Sequence, residues 1–173
     1  MKKMMLLALC LMLAASCALG EAGGAYVNPL SGATFTLPHG WSVTERHDEE
    51  LATATFMTGM PGVMQLTCST TDIFPGADEA LRMGLGQDSF HALEISAFTG
   101  VPAEALAEQE IMGRTYYLCG ATAQAQSGEE MSVVYAFHVD MGYLYAYTLA
   151  TVRSDAPDTT PLTILLQGML YTP

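Results

Sequence analysis

The sequence predicts an α+β domain, an antiparallel β-sheet of about six to eight short strands with a mid-chain helix and a C-terminal helix packed against it. Apolar and polar residues alternate before residue 72 and again after residue 108, as in strands that bury one face. Between these segments apolar residues recur at irregular helical spacings, and an apolar stripe closes the chain. Residues 23–173 are therefore predicted to form one domain.

Residues 1–22 have the layout of a secretory signal peptide, because Lys2 and Lys3 precede an apolar run at residues 4–15 and small residues follow. The run is too short to span a bilayer, which needs about 20 residues. The sequence Ala-Ala-Ser-Cys ending at Cys17 resembles a bacterial lipobox. The chain is thus expected outside the cytoplasm, either secreted or anchored as a lipoprotein through lipid on Cys17.

The first half of the domain is predicted to begin with short strands joined by turns. Residues 34–37 and 41–46 are β-prone and flank a Pro-His-Gly turn, after which Trp41 is expected to be buried. Residues 52–56 and 64–68 alternate around a glycine-rich turn and predict a hairpin. Residues 73–106 then predict one or two short helices.

The second half predicts a four-stranded meander followed by the C-terminal helix. Residues 140–142 fit a three-residue hairpin loop, which would pair Phe137 with Tyr145 and Tyr135 with Tyr147. Thr160 and Pro161 are suited to a helix N-terminus. The apolar stripe that follows consists of Leu162, Leu165, Leu166 and Met169.

Under that register several aromatic residues share one sheet face. Tyrosine buries its ring while its hydroxyl stays hydrated, which suits ligand-binding surfaces and interfaces. The same face would also suit a core covered by the C-terminal helix. The predicted ligand-binding residues are Tyr135, Phe137, Tyr143, Tyr145 and Tyr147, and the binding interpretation requires one of the last three to keep its hydroxyl exposed.

The domain carries Cys68 and Cys119, an even count in an exported chain, and a disulfide between them is predicted. Two free buried thiols are the alternative.

The excess of acidic residues and the motifs in the sequence limit the classes of function that this chain could have. With 18 acidic against 6 basic residues the chain would repel phosphate backbones, so nucleic-acid binding is excluded. Asp88, His91 and Glu94 share helical spacing, and the residues from Glu45 to Glu50 are rich in acids, but an N-cap with surface residues and a solvated turn explain them without a metal. No catalytic motif or cofactor-binding motif is present.

The stretch Phe-Thr-Leu-Pro-His-Gly-Trp ending at Trp41, which opens a domain that closes with a tyrosine-rich meander and an apolar helix, resembles the PsbP-like family of small exported domains. That resemblance implies an α+β sandwich and a non-enzymatic accessory or lipoprotein role. The photosynthetic members are rich in lysine and this domain is not, so their photosystem role is not transferred.

Two functions remain open from the sequence. The first is an exported, non-catalytic domain that binds a protein or small ligand at the cell envelope. The second is a small extracytoplasmic hydrolase with an unrecognised site.

Overall fold

The computed structural model describes residues 24–72 and 107–170, which form ten β-strands and one α-helix. The strands are β1 Ala25–Val27, β2 Thr34–Thr36, β3 Ser42–His47, β4 Leu51–Met57, β5 Val63–Asp72, β6 Ala107–Ile111, β7 Arg114–Gln124, β8 Glu130–Asp140, β9 Tyr143–Val152 and β10 Met169–Leu170. The helix, α1, spans Thr160–Gln167.

Two antiparallel sheets are built from these strands. The large sheet has seven strands in the order β3-β4-β5-β9-β8-β7-β6, and the small sheet has three in the order β1-β2-β10. Strand β9 pairs on one side with β8, its neighbour in sequence, and on the other with β5. The two long strands β8 and β9 therefore lie inside the large sheet.

The predicted α+β class is wrong, because the described part of the chain is mostly β, with one helix of eight residues. Strand β2 lies in the β-prone run predicted at residues 34–37. Strands β1 and β10 were not predicted, since they are only two or three residues long and too short to show alternation. The predicted mid-chain helix, the signal peptide at residues 1–22 and Cys17 lie outside the described residues.

Strand β4 shows how the alternating sequence produces a half-buried sheet. Ala52, Ala54 and Phe56 are buried, whereas the residues between them are not. The predicted hairpin of β4 and β5 is confirmed, with Ala54 opposite Cys68. Trp41 is 4% exposed, as expected from its position after the Pro-His-Gly turn.

Helix α1 closes the core over one face of the large sheet, here called the helix-side face. Leu162, Leu165 and Leu166 are fully buried in one cluster with Phe35 of the small sheet. The predicted N-cap at Thr160 is wrong by one residue, because the N-cap is Thr159 and the helix begins at Thr160, with Pro161 in its first turn. It ends before Met169, whose buried side chain belongs to β10.

Gly168 links the helix to the small sheet. Its carbonyl accepts a hydrogen bond of 2.9 Å from the Thr36 N–H, and a Cβ on Gly168 would lie 2.6 Å from the Thr36 carbonyl oxygen. Only glycine permits this approach of the two backbones. Within the described ranges, no helix is both long and apolar enough to cross a membrane.

Candidate functional site

The turn between β8 and β9 determines where the aromatic residues point. It has two residues, Met141 and Gly142, with φ of 53° and 85°, and Asp140 lies opposite Tyr143. Positive φ at both central residues is the pattern of a type I′ turn, whose twist matches that of the flanking strands. The predicted three-residue loop is therefore wrong by one residue.

This one-residue change in register places the predicted aromatic residues on two different faces of the sheet. Tyr145 lies opposite His138, and Phe137 lies opposite Ala146 instead of Tyr145. A shift of one residue turns every side chain of a strand to the other face, because the side-chain period of a strand is two. Tyr143, Tyr145 and Tyr147 thus lie on the helix-side face, and Tyr135 and Phe137 on the opposite face.

Tyr145 and Tyr147 are parts of the hydrophobic core. Both are 0% exposed, and the Tyr147 hydroxyl donates a hydrogen bond of 3.1 Å to the Met169 Sδ. The Tyr147 ring also meets Phe35 of the small sheet at a centroid distance of 6.5 Å. Their rings therefore stabilise the contact between the two sheets.

His138 lies at the centre of this buried aromatic group. Its ring stacks on Tyr145 at a centroid distance of 4.7 Å and an interplanar angle of 11°, and Tyr116 packs at 4.7 Å on a tilted plane. Burial, with a smaller contribution from the positive charge of Arg114, lowers the pKa of His138 to about 3. Burial also raises the pKa of Tyr116 to about 12. At neutral pH both rings are uncharged and serve as packing groups.

Tyr143 is the member of the predicted set that reaches the end of the helix-side face. It is half-buried, packs against the core and lies opposite Asp140. The Arg114 Nε is 3.9 Å from the Asp140 Oδ2, and the Arg114 Nη1 donates a hydrogen bond of 3.1 Å to the Met169 carbonyl oxygen. We call Arg114, Asp140 and Tyr143 the sheet rim, where a partly exposed aromatic ring and two opposite charges meet.

The remaining predicted aromatic residues lie on the opposite face. Phe137 is 1% exposed and Tyr135 is half-buried, and their rings stack at a centroid distance of 6.3 Å and an interplanar angle of 18°. They are separated from Tyr143 by the thickness of the sheet. Any ligand contact they make is therefore distinct from a contact at the sheet rim.

The predicted disulfide is wrong, since Cys68 and Cys119 are both free and buried. Cys68 lies opposite Tyr147 on the helix-side face, whereas Cys119 lies opposite Tyr135 on the other face. Strands β9 and β8 separate them, which places their strands about 14 Å apart at about 4.8 Å per strand. Burial raises the pKa of Cys68 to about 12 and that of Cys119 to about 11, so both thiols stay protonated.

The acidic turn between β3 and β4 is held by its own backbone. The Asp48 Oδ1 accepts hydrogen bonds of 2.9 Å from the N–H groups of Glu50 and Leu51, which lower the pKa of Asp48. His47 lies 3.3 Å from Glu45 on the exposed end of β3. In residues 24–72 and 107–170 no group of three or more His, Cys, Asp or Glu side chains is arranged to hold a metal ion. Asp88, His91 and Glu94 lie outside these ranges.

One hollow in the described part of the chain lies at the opposite end of the large sheet from Tyr143. Its volume is about 290 Å³, and its lining residues are Met64, Glu129, Glu130, Val152 and Arg153. None of the predicted aromatic residues contributes to it.

The roles of His138 and its neighbour Arg114 were not predicted from the sequence. Side chains alternate along a strand, so His138 lies on the same face of β8 as Ala136 and Val134, which are both buried on the helix-side face. This alternation would have predicted a buried His138, but only with the correct register of β8 and β9, which determines the face that His138 shares with Tyr145.

Comparison with known proteins identifies the fold. No family model and no curated protein matches the sequence. A Bacteroides thetaiotaomicron crystal structure aligns with a TM-score of 0.61 and 9% identity over 88% of this chain, which spans 50% of that protein. Cyanobacterial PsbP (CyanoP) from Synechocystis sp. PCC 6803 aligns with a TM-score of 0.53 and 13% identity, over 92% of this chain and 99% of that one. A Pseudomonas aeruginosa protein of unknown function, PA94, has a TM-score of 0.42 at 15% identity, covering 87% and 99% of the two chains.

At such identities the first two matches, with TM-scores above 0.5, show a shared fold alone. The PsbP-like resemblance noted in the sequence therefore holds at the level of the fold, through one structural neighbour.

Proposed function

We propose that this chain is an exported, non-catalytic domain that binds a protein or small ligand at the cell envelope through the sheet rim. The observation that carries the proposal is the position of Tyr143. Tyr145 and Tyr147, on the same face of β9, are fully buried in the core. Tyr143, at the first position of β9, keeps part of its surface exposed.

The chemistry of the sheet rim suits recognition. A tyrosine ring supplies a rigid apolar surface with a polar end, and such residues are enriched among the residues that dominate binding energies. Arg114 and Asp140 add a donor group and an acceptor group beside the ring, each about three-quarters or more buried. Their partial burial strengthens polar contacts that would be weak in open water.

The chemistry of the buried groups favours binding over catalysis. A general acid or base works best when its pKa lies near the operating pH. The pKa of His138 is about 3 and that of Tyr116 about 12, so neither group exchanges protons readily at neutral pH.

The proposed location follows from the sequence of residues 1–22. A cleaved signal peptide would release a secreted domain, and lipid on Cys17 would anchor it to a membrane. The fold is shared with a cyanobacterial PsbP protein. The accessory role is what the sequence resemblance to the PsbP-like family implies. The secreted form and the lipid-anchored form would expose the same sheet rim.

Site-specific crosslinking tests the proposal. A photoreactive phenylalanine analogue replaces Tyr143 in one variant and Tyr135 in a control, since Tyr135 is also half-buried but lies on the opposite face. On irradiation in native cells, position 143 should give a discrete adduct in the extracytoplasmic or membrane fraction, and position 135 should not. No adduct at 143, or equal adducts at both positions, would overturn the proposed rim.

A further inference from the structure

Two turns of the large sheet share an unusual sequence and backbone. Met112 and Gly113 join β6 to β7 with φ of 52° and 74°, and Met141 and Gly142 join β8 to β9 with φ of 53° and 85°. Asn, Asp and Gly are the residues that normally occupy such positions, because a left-handed backbone crowds a larger side chain. In the described ranges these two methionines are the non-glycine residues with positive φ.

The two turns are neighbours at one end of the sheet. Arg114 directly follows the first turn and Asp140 directly precedes the second, and their side chains lie 3.9 Å apart. Met112 is 68% exposed and Met141 is 65% exposed, the highest values among the exposed large hydrophobic residues of the described chain. We call this pair the methionine tip.

The methionine tip is unfavourable for the isolated domain on two counts. Each side chain occupies a backbone conformation that asparagine or glycine would adopt with less strain, and each exposes apolar surface to water. A local rule broken twice without compensation in the described part of the fold points to a role outside it. Methionine is flexible and polarisable, which suits surfaces that adapt to a partner.

Charge around the tip indicates which partner fits. The strand ends beside the two turns carry three acidic residues and one basic residue, within a chain of net charge −12. The acidic residues are Asp72, Glu110 and Asp140, and the basic residue is Arg114. Opposite charge speeds encounter and excludes wrong partners, so this end favours a basic segment over an anionic one.

We infer that the methionine tip anchors a basic, apolar segment of another protein, with Met112 and Met141 as the apolar contacts and the surrounding carboxylates selecting positive charge. The inference rests on the proposed function, because the tip borders the sheet rim through Arg114 and Asp140. It adds the chemical class of the partner. An anionic lipid surface is disfavoured by the same carboxylates.

Binding of a synthetic probe tests the inference. The probe is an amphipathic peptide of about 18 residues made of Lys and Leu, and its control replaces each Lys by Glu. The variant is M112N/M141N, which leaves the charge of the domain unchanged. The full chain should bind the Lys peptide, the Glu peptide should not bind, and the variant should bind the Lys peptide about tenfold more weakly.

A stability measurement shows that the variant is folded. Asparagine suits both left-handed positions, so the unfolding temperature of M112N/M141N should rise by about 2–4 °C. Unchanged affinity of the folded variant for the Lys peptide would overturn the inference, since plain charge attraction would then explain the binding. Methionine-dependent binding to phosphatidylcholine vesicles with none to the Lys peptide would also overturn it, in favour of a lipid surface.

These outcomes are distinct from failure of the proposed function. If crosslinking at position 143 succeeds while M112N/M141N keeps its affinity for the Lys peptide, the rim stands and the methionine tip does not. If no adduct forms at position 143, the proposed function itself is contradicted.

Discussion

Acidification from pH 7 to pH 4 should lower the free energy of unfolding by about 3 kcal/mol through His138 alone. Burial lowers the pKa of this imidazole from 6.5 to about 3 in the folded protein. The unfolded chain therefore binds the proton more readily than the folded one. The stability is fully present above pH 6.5 and is lost as the pH falls from 6.5 towards 3.

Urea unfolding followed by circular dichroism at pH 7, 6, 5 and 4 measures this slope, which should be about 1.4 kcal/mol per pH unit below pH 6. Asp48 and Asp158 also have lowered pKa values, but their contribution is lost only as the pH falls towards and below 3.8. The control is His138→Phe, which keeps a stacked ring and removes the titration. An equal slope in the variant would contradict the assignment to His138.

Replacing Leu165 with alanine should lower the free energy of unfolding by about 2–5 kcal/mol, the range found when a buried leucine is truncated. Leu165 is 0% exposed and belongs to the core cluster between α1 and the two sheets. The cavity left behind cannot be filled by small shifts, because the small sheet is tied to the end of the helix through Gly168.

The matched control is Gln167→Ala in the same helix, whose side chain is exposed and which should change stability by less than about 0.5 kcal/mol. Both variants are compared with the parent chain by urea unfolding at pH 7. If Leu165→Ala were as stable as Gln167→Ala, helix α1 would not be docked on the helix-side face.

The elements that were predicted correctly are those with a clear period in the sequence. Strand β4 alternates strictly between small apolar residues and threonines, and its hairpin with β5 follows from that pattern. The leucine stripe of α1 has helical spacing and follows Pro161. In these segments one face is buried and the other is not, so local sequence carries the information.

The register of β8 and β9 could not be read in the same way. Both strands are buried on both faces over most of their length, so apolar residues occupy odd and even positions alike. Alternation then gives no preference between a two-residue and a three-residue loop. The choice rests on Met141, which adopts a left-handed conformation that its residue type does not favour.

The prediction of a disulfide was wrong for a related reason. An even number of cysteines in an exported chain indicates that a bridge could form, but not whether the two residues share a face. Cys68 and Cys119 are separated by the insertion of β9 and β8 between their strands, a long-range pairing that local patterns do not reveal. The pairing of β2 with the unpredicted strands β1 and β10 is not revealed by local patterns either.

The Met141–Gly142 turn divides the aromatic residues between two faces and leaves Tyr143 at the sheet rim. Nuclear Overhauser contacts between the Hα protons of β8 and β9 test this division, because these protons come close together at the non-hydrogen-bonded pairs of antiparallel strands. We expect contacts of Phe137 with Ala146 and of Val139 with Leu144, which are non-hydrogen-bonded pairs beside the two-residue turn. A three-residue loop would instead bring the Hα protons of His138 and Leu144 together, and that contact would overturn the division and restore a single aromatic face.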